Sequence, residues 1–205
     1  ASLKKSKDKQ ISELKVLNKI SKIVNSTLEL GKVLDAIIQF MKNSLGAQEC
    51  SLLIFDDKRR YGPTKPTKDQ IEFESILARE IYLSKMPIKI HSIKKDHRFG
   101  DIKMPYNSVV SMPLKNKNDV IGVINVFGKS IDLGENDFEL LSIISDQTAM
   151  AIVNANQFEK VRISSITDKL TGLYNRRYFM EVLRDEIERS QRAKEAVSLI
   201  LFDVD

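Results

Sequence analysis

The stretch SVVSMPL at 108–114, followed by VIGVINVF at 120–127, decides the fold. Two apolar runs of strand length, rich in β-branched residues and joined by the polar segment 115–119, read as an antiparallel hairpin. Upstream, residues 92–106 are polar and irregular, and end at Met104-Pro105. Before them Ile88 and Ile90 alternate with Lys89 and His91, as in a short strand. Residues 71–85 place Ile71, Ile76, Leu77, Ile81 and Tyr82 at helical spacing, and Met86-Pro87 closes that helix. Residues 56–70, with Gly62, Pro63 and Pro66, read as a loop. The run from Cys50 to Phe55 reads as a strand buried on at least one face, with Cys50 as a small core residue.

Further back, Val33, Leu34, Ile37, Ile38 and Met41 mark an amphipathic helix stopped at Gly46. A break at Leu30-Gly31 separates it from a first helix, about Lys5 to Thr27. There Ile11, Leu14, Leu17, Ile20 and Val24 form one narrow apolar stripe opposite a Lys-rich face. Such a stripe suits a seam between two helices as well as packing on its own domain. Downstream, a helix from Glu135 to about Ile163 keeps heptad-like spacing through Leu141, Ile144, Ala151, Ala155 and Phe158. An ordinary buried helix is one reading. The second half, Asn154 to Ser165, outruns the core of a single domain, which favours a dimerising connector. This element order predicts an α+β fold, an antiparallel sheet flanked by helices, with the helices on one face.

Composition limits the function. Of 205 residues, 42% are hydrophobic and 30% charged, the range of a globular chain able to bury a core. One Cys excludes an intrachain disulfide framework and points to a reducing compartment, the cytoplasm. No apolar run approaches the ~20 residues of a membrane span. The net charge of +5 falls largely in residues 1–10, where four Lys stand against one Asp. That is the pattern of a solvated helix start without interleaved aromatic residues, so no nucleic-acid partner is expected.

Two resemblances follow. The hairpin strands, then Asp137-Phe-Glu-Leu-Leu141, then QTAMAIVNA at 147–155, in this order and spacing, resemble the closing half of a GAF domain. Asp96-His-Arg-Phe99 is similar to that family's loop before the hairpin. The likeness covers about Leu17 to Val161. It implies a small-molecule sensor that dimerises through its terminal helices. The stretch DKLTGLYNRRYF at 168–179 resembles the opening signature of GGDEF domains. An amphipathic helix, about Arg177 to Lys194, follows, and VSLILFDVD at 197–205 is similar to the family's first core strand. That resemblance implies a diguanylate cyclase, which joins two GTP molecules into cyclic di-GMP. The expected organisation is an N-terminal helix over 1–30, a GAF sensor over 17–161, a connector over 154–167 and a partial α/β GGDEF segment over 168–205.

The resemblance also assigns roles. In the parent enzyme Asp203 and the backbone carbonyl of Val204 would hold magnesium, a hard cation that offsets phosphate charge during phosphoryl transfer. Asp205 would cap the turn. Asp168, Asn175, Arg176 and Arg177 would couple connector to catalytic domain, with Arg bridging Asp185 or Glu186.

For the sensor pocket, Ser51, His97, Arg98, Phe99, Asp101, Tyr106, Asn107 and Ser108 supply donors, a base partner and aromatic walls, the needs of a purine cyclic nucleotide, with cAMP ahead of cGMP. The family's Asn-Lys…Phe…Asp-Glu pattern is broken here, at Asn125 to Lys129 with Phe138. His91 and His97 are the candidates for a haem-binding alternative. A bilin would need a Cys beside the pocket, and residues 91–112 hold none. A GAF domain that binds nothing and only forms a homodimer is the structural alternative, with Phe99, Met104 and Tyr106 filling the volume. The Gly-Gly-Asp/Glu-Glu-Phe turn is absent from this sequence, which reads as a fragment cut inside the catalytic domain. Assayed with GTP and magnesium, this chain is therefore expected to make no cyclic di-GMP, and product formation would overturn that reading.

Overall fold

A computed structural model describes residues 18, 20–22, 29–56, 58–62, 65–99, 102–128 and 134–202. The first-helix expectation therefore lies largely outside the described residues. Ile20 is within them and is fully buried in the main core. Two compact units divide the chain, Ala1–Ala155 and Asn156–Asp205.

In the first unit, α1 (Leu30–Leu45) leads into β1 (Glu49–Ile54) and the two-residue β2 (Arg60–Tyr61). Then come α2 (Lys68–Ser84), β3 (Ile88–Ile90), a 3-10 turn (Ile93–Lys95), β4 (Ser108–Asn116), β5 (Asp119–Gly128) and α3 (Glu135–Ile166), whose residues after Ala155 fall in the second unit. The five strands form one sheet in the order β2-β1-β5-β4-β3, each neighbouring pair antiparallel. The hairpin is longer than the sequence suggested. Pairing continues to Asn116↔Asp119, leaving Lys117 and Asn118 as the turn.

Each element follows from its residues. α1 buries Val33, Leu34, Ile37, Ile38 and Met41, a single face at 3.6-residue spacing. Gly46 ends it in the left-handed conformation at φ 60°, which glycine adopts without a Cβ penalty. The sequence break expected at Leu30-Gly31 is instead the first turn of α1, with Glu29 as its cap residue. α2 starts three residues before the expected Ile71, because the Thr67 hydroxyl accepts the Gln70 amide at 3.1 Å.

The helices lie on both faces of the sheet, not on one. Cys50, Leu52, Ile54, Val110, Met112, Leu114, Ile124 and Val126 share a core with α1 and with Leu141, Ile144, Ala149 and Ile152 of α3. Val109, Val123 and Phe127, on the opposite pleat, pack with Phe73, Leu77, Ala78 and Ile81 of α2. The sequence carried this signal: the run from Val120 to Phe127 is almost unbrokenly apolar, whereas a sheet covered on one face alternates. Burial also pushes the Cys50 thiol up to about 12. That thiol is an inert core group.

α3 divides along its length. Leu141, Ile144, Thr148, Ala149, Ala151 and Ile152 are buried in the domain's own core, so this half is the ordinary buried helix. Beyond Ala155, Phe158, Val161 and Ile163 are exposed. Among the described residues no helix is long and apolar enough to cross a membrane.

In the second unit, Asp168 organises the turn after α3. Its Oδ1 accepts the Leu170 and Thr171 amides at 3.1 and 2.9 Å and the Thr171 hydroxyl at 2.9 Å. These bonds, led by the Thr171 amide, hold its carboxyl below the usual range. Asn175 caps α4 (Arg176–Ala193) by accepting the Tyr178 amide at 3.0 Å. Arg177 donates to the Ser165 carbonyl at 3.0 Å, in place of the bridge expected to Asp185 or Glu186, and Glu186 pairs with Arg189. Residues 197–202, read from the sequence as a strand, are not one. A strand needs a neighbour for its ladder, and no described strand lies beside them.

At Gly122 an added Cβ would stand 2.3 Å from the Leu53 carbonyl oxygen. Gly122→Ala is expected to cost ~2 kcal/mol through this overpacking, read as a lower urea midpoint.

Candidate functional site

Polar residues on the α2 side of the sheet form one connected network. β1 and β5, paired in register at Ser51↔Asn125, bring together Glu49, Ser51 and Asn125, and β4 adds Ser111. All four are buried, as are Gln70 and Glu74 of α2. Arg60, on β2, donates from Nε to Glu74 Oε2 at 2.8 Å and from Nη2 to Glu74 Oε1 at 3.1 Å and Glu49 Oε1 at 3.3 Å. Gln70 Nε2 donates to Glu49 Oε1 at 3.0 Å and Glu74 Oε1 at 3.2 Å. The Ser51 hydroxyl donates to Glu74 Oε1 at 2.8 Å, Asn125 Nδ2 to Ser51 Oγ at 3.2 Å, and the Ser111 hydroxyl to Asn125 Oδ1 at 2.7 Å.

Two carboxylates thus share one guanidinium. Burial alone would lower the Arg60 pKa, but hydrogen bonds and charge from Glu74 and Glu49 outweigh it and raise it above its ordinary value. The Tyr106 hydroxyl closes the network, donating to Glu49 Oε2 at 2.7 Å. Its pKa is pushed up, by burial first and by the Glu49 bond and charge second, so it remains a donor.

Beside this network the space is filled by aromatic rings. Phe73 and Phe99 lie 4.3 Å apart between ring centres, and Tyr106 stacks on Phe127 at 5.1 Å. Ile102 and Met104 pack against the same cluster. Between the β1–β2 hairpin and α2 the packing opens instead into a half-open cavity of about 500 Å³. Leu53, Phe55, Ile71 and Ala78 wall it, with Arg60 and Glu74 along one side.

The residues expected from the sequence are scattered. Ser51 and Tyr106 reach the network, and Phe99 belongs to the aromatic filling. His97 and Arg98 are exposed and line a separate open concavity. Arg98 is held by Asp96 and Glu80, and its hydrogen bonds hold the Asp96 carboxyl low. Asn107 accepts the Ser92 hydroxyl at 3.3 Å, and Ser108 donates to the Gly128 carbonyl at 3.1 Å, both structural contacts. Asp101 and the metal-ligand pair Asp203 and Val204 lie outside the described residues. Among the described residues no group of three or more His, Cys, Asp or Glu could hold a metal ion. His91 is exposed, like His97.

Sequence reasoning missed Glu49, Arg60, Gln70 and Glu74. A signal for two of them existed: Gln70 and Glu74 occupy the same helical stripe as Phe73, Leu77 and Ile81. Polar residues on a buried stripe require partners.

The GAF domain family model matches residues 27–153. The model for the diguanylate cyclase GGDEF domain matches residues 165–205. Diguanylate cyclase A of Treponema denticola is 26% identical over 217 aligned residues, covering 97% of this chain and 58% of its own length. Diguanylate cyclase DgcS of Shewanella oneidensis is 39% identical over 54 residues, 26% of this chain and 18% of its own. The chain therefore spans only part of these relatives. The GAF domain of an Acinetobacter phosphoenolpyruvate-protein phosphotransferase superposes with a TM-score of 0.58 at 19% identity, covering 71% of this chain and 95% of that one. Free methionine-R-sulfoxide reductase of Neisseria meningitidis superposes with a TM-score of 0.56 at 13% identity, covering 71% and 90%. These likenesses establish a common fold.

Arg60 bonds both buried carboxylates of the network. Arg60→Met removes the cation bonded to both Glu74 and Glu49 and is expected to cost ~3 kcal/mol in urea unfolding. Adding Glu74→Gln should recover part of that loss; additive losses would contradict the pairing.

Proposed function

This chain belongs to the GAF family, and on that premise we propose that it is the sensory region of a diguanylate cyclase. A small ligand held between the sheet and α2 sets the rate of cyclic di-GMP synthesis in the whole protein. The observation that carries this reading is α3. Its first half packs in the sensor core, where Leu141, Ile144, Ala149 and Ile152 are buried, and the helix continues unbroken to Ile166, at the start of the GGDEF match. Past that core it exposes Phe158 and Val161, which suits a seam with the same helix of a second chain.

Joining two GTP molecules needs two loaded catalytic domains face to face, so a symmetric homodimer held by its terminal helices is the natural control point. A ligand changes that geometry only by as much as its affinity differs between the two dimer states. In the parent, GTP is the substrate and magnesium, on Asp203 and the Val204 carbonyl, supplies the charge compensation. Dependence on GTP puts the region in the cytoplasm.

A purine cyclic nucleotide, cAMP ahead of cGMP, is the ligand the family resemblance suggests, and it draws Ser51 and Tyr106 from the network. The rival reading is a ligand-free dimerisation module. The mutual packing of Phe73, Phe99, Tyr106 and Phe127 favours it, because those rings occupy the space expected for a ligand. A haem-binding reading gains no support from His91 and His97, both exposed.

The helix is testable through its phase. Four residues inserted after Glu159 in the full-length protein turn the following helix by about 40°, whereas seven turn it by only about 20°. The four-residue insertion is expected to change the basal rate of cyclic di-GMP synthesis at least ~10-fold and the seven-residue insertion less than ~2-fold. Equal rates in both would overturn control through α3.

A further inference from the structure

We propose that α3 carries a flexing point over Ser145–Thr148, at which the helix tilts on the sheet when the sensor changes state. This rests on the reading of α3 as the control element and names the place where that element moves. Ser145 and Thr148 lie on the buried side of α3, 2% and 0% exposed, among Leu141, Ile144, Ala149 and Ile152. Both hydroxyls bond within their own helix. Ser145 donates to the Leu141 carbonyl at 2.8 Å and Thr148 to the Ile144 carbonyl at 2.6 Å. In a helix each of those carbonyls also accepts the amide four residues on, so each divides its lone pairs between two donors. Back-bonding of this kind weakens the ladder locally and bends helices. α3 stays helical through these residues, so the weak point is a place of bending and not a break.

The side chains over this stretch are also short. Ser145, Thr148, Ala149 and Ala151 face the core, whereas α1 presents Val33, Leu34, Ile37, Ile38 and Met41 to the same core. Short side chains interlock little with their neighbours, so a small tilt displaces few of them. Among the described residues, no side chain of α3 from Leu140 to Ile152 forms a hydrogen bond or ion pair outside the helix. α2 is the opposite case. Gln70 and Glu74 tie it to Glu49 and Ser51 of β1 and to Arg60 of β2. A tilt of α2 would break buried bonds to charged groups, while a tilt of α3 breaks none. α2 is the fixed helix of the sensor, and α3 is the one free to move.

The test is amide hydrogen exchange on this chain, read residue by residue. In the unaltered chain the amides from Ser145 to Ile152 are expected to exchange at least ~10-fold faster than those from Ile37 to Met41 of α1, which face the same core. Thr148→Val, which keeps the shape and removes the hydroxyl, is combined with Ser145→Ala. Together they should slow the α3 amides at least ~10-fold relative to those from Val123 to Val126 of β5. Thr148→Ser retains the hydroxyl and should keep the α3 amides fast. Exchange in α3 as slow as in α1 overturns the flexing point. So does an equal slowing of α3 and β5 in the double variant, because that reports global stability alone. Either result leaves the sensor reading standing. In the full-length protein the double variant is expected to change basal cyclic di-GMP synthesis at least ~3-fold. Slowed α3 exchange with unchanged synthesis overturns control through α3 and leaves the flexing point standing.

Discussion

The ion cluster of Glu49, Arg60 and Glu74 is the constraint around which the α2 side of the sheet is arranged. Moving two carboxylates and a guanidinium out of water costs several kcal/mol per ion unless their hydrogen-bonding positions are filled. Here they are filled from five different segments. β1 supplies Glu49 and Ser51, β2 supplies Arg60, α2 supplies Gln70 and Glu74, β5 supplies Asn125, and the segment before β4 supplies Tyr106. No buried side-chain nitrogen or oxygen among the described residues lacks a partner. Such a cluster adds little net stability over an apolar core, but it tolerates few other arrangements. It fixes where α2 sits over the sheet and anchors β2, which pairs with β1 through two residues.

That arrangement gives the two ends of the α2 face different characters. Toward β4 the gap closes with Phe73, Phe99, Tyr106 and Phe127, rings large enough to exclude water by themselves. Toward β2 the gap stays open between Ile71 and Leu53. The cluster separates the filled end from the open one. The opposite face holds α1 and the first half of α3.

Element order was legible in the sequence because periodicity is local. The 3.6-residue stripe of α1, the two apolar runs of the β4–β5 hairpin and the Pro after α2 each show within a dozen residues. What escaped was cooperative. β2 has two residues and no periodicity to read, and it exists because β1 offers Leu52 and Leu53 as pairing partners. The strand expected at 197–202 failed for the opposite reason: its apolar residues have strand character, but a strand is completed by its neighbour. Of the eight residues expected around a pocket, those from His97 to Ser108 are legible in the sequence only as polar and aromatic side chains on a loop. The structure gives Arg98 to Asp96 and Glu80, Asn107 to Ser92, and Ser108 to Gly128.

The sequence by itself determined the family, the α+β class, the place of the hairpin and the continuation of the long helix toward a GGDEF opening. These depend on spacing and motif order, which survive in one dimension. Only the tertiary structure decided which face each helix covers, that α3 is half core and half exposed, and that Glu49, Arg60 and Glu74 meet. Those residues are 11 and 14 positions apart, on two strands and a helix, and each alone reads as an ordinary surface charge. Their burial became affordable only when the fold brought opposite charges and donors within 3.3 Å, and no pattern within one segment encodes that meeting.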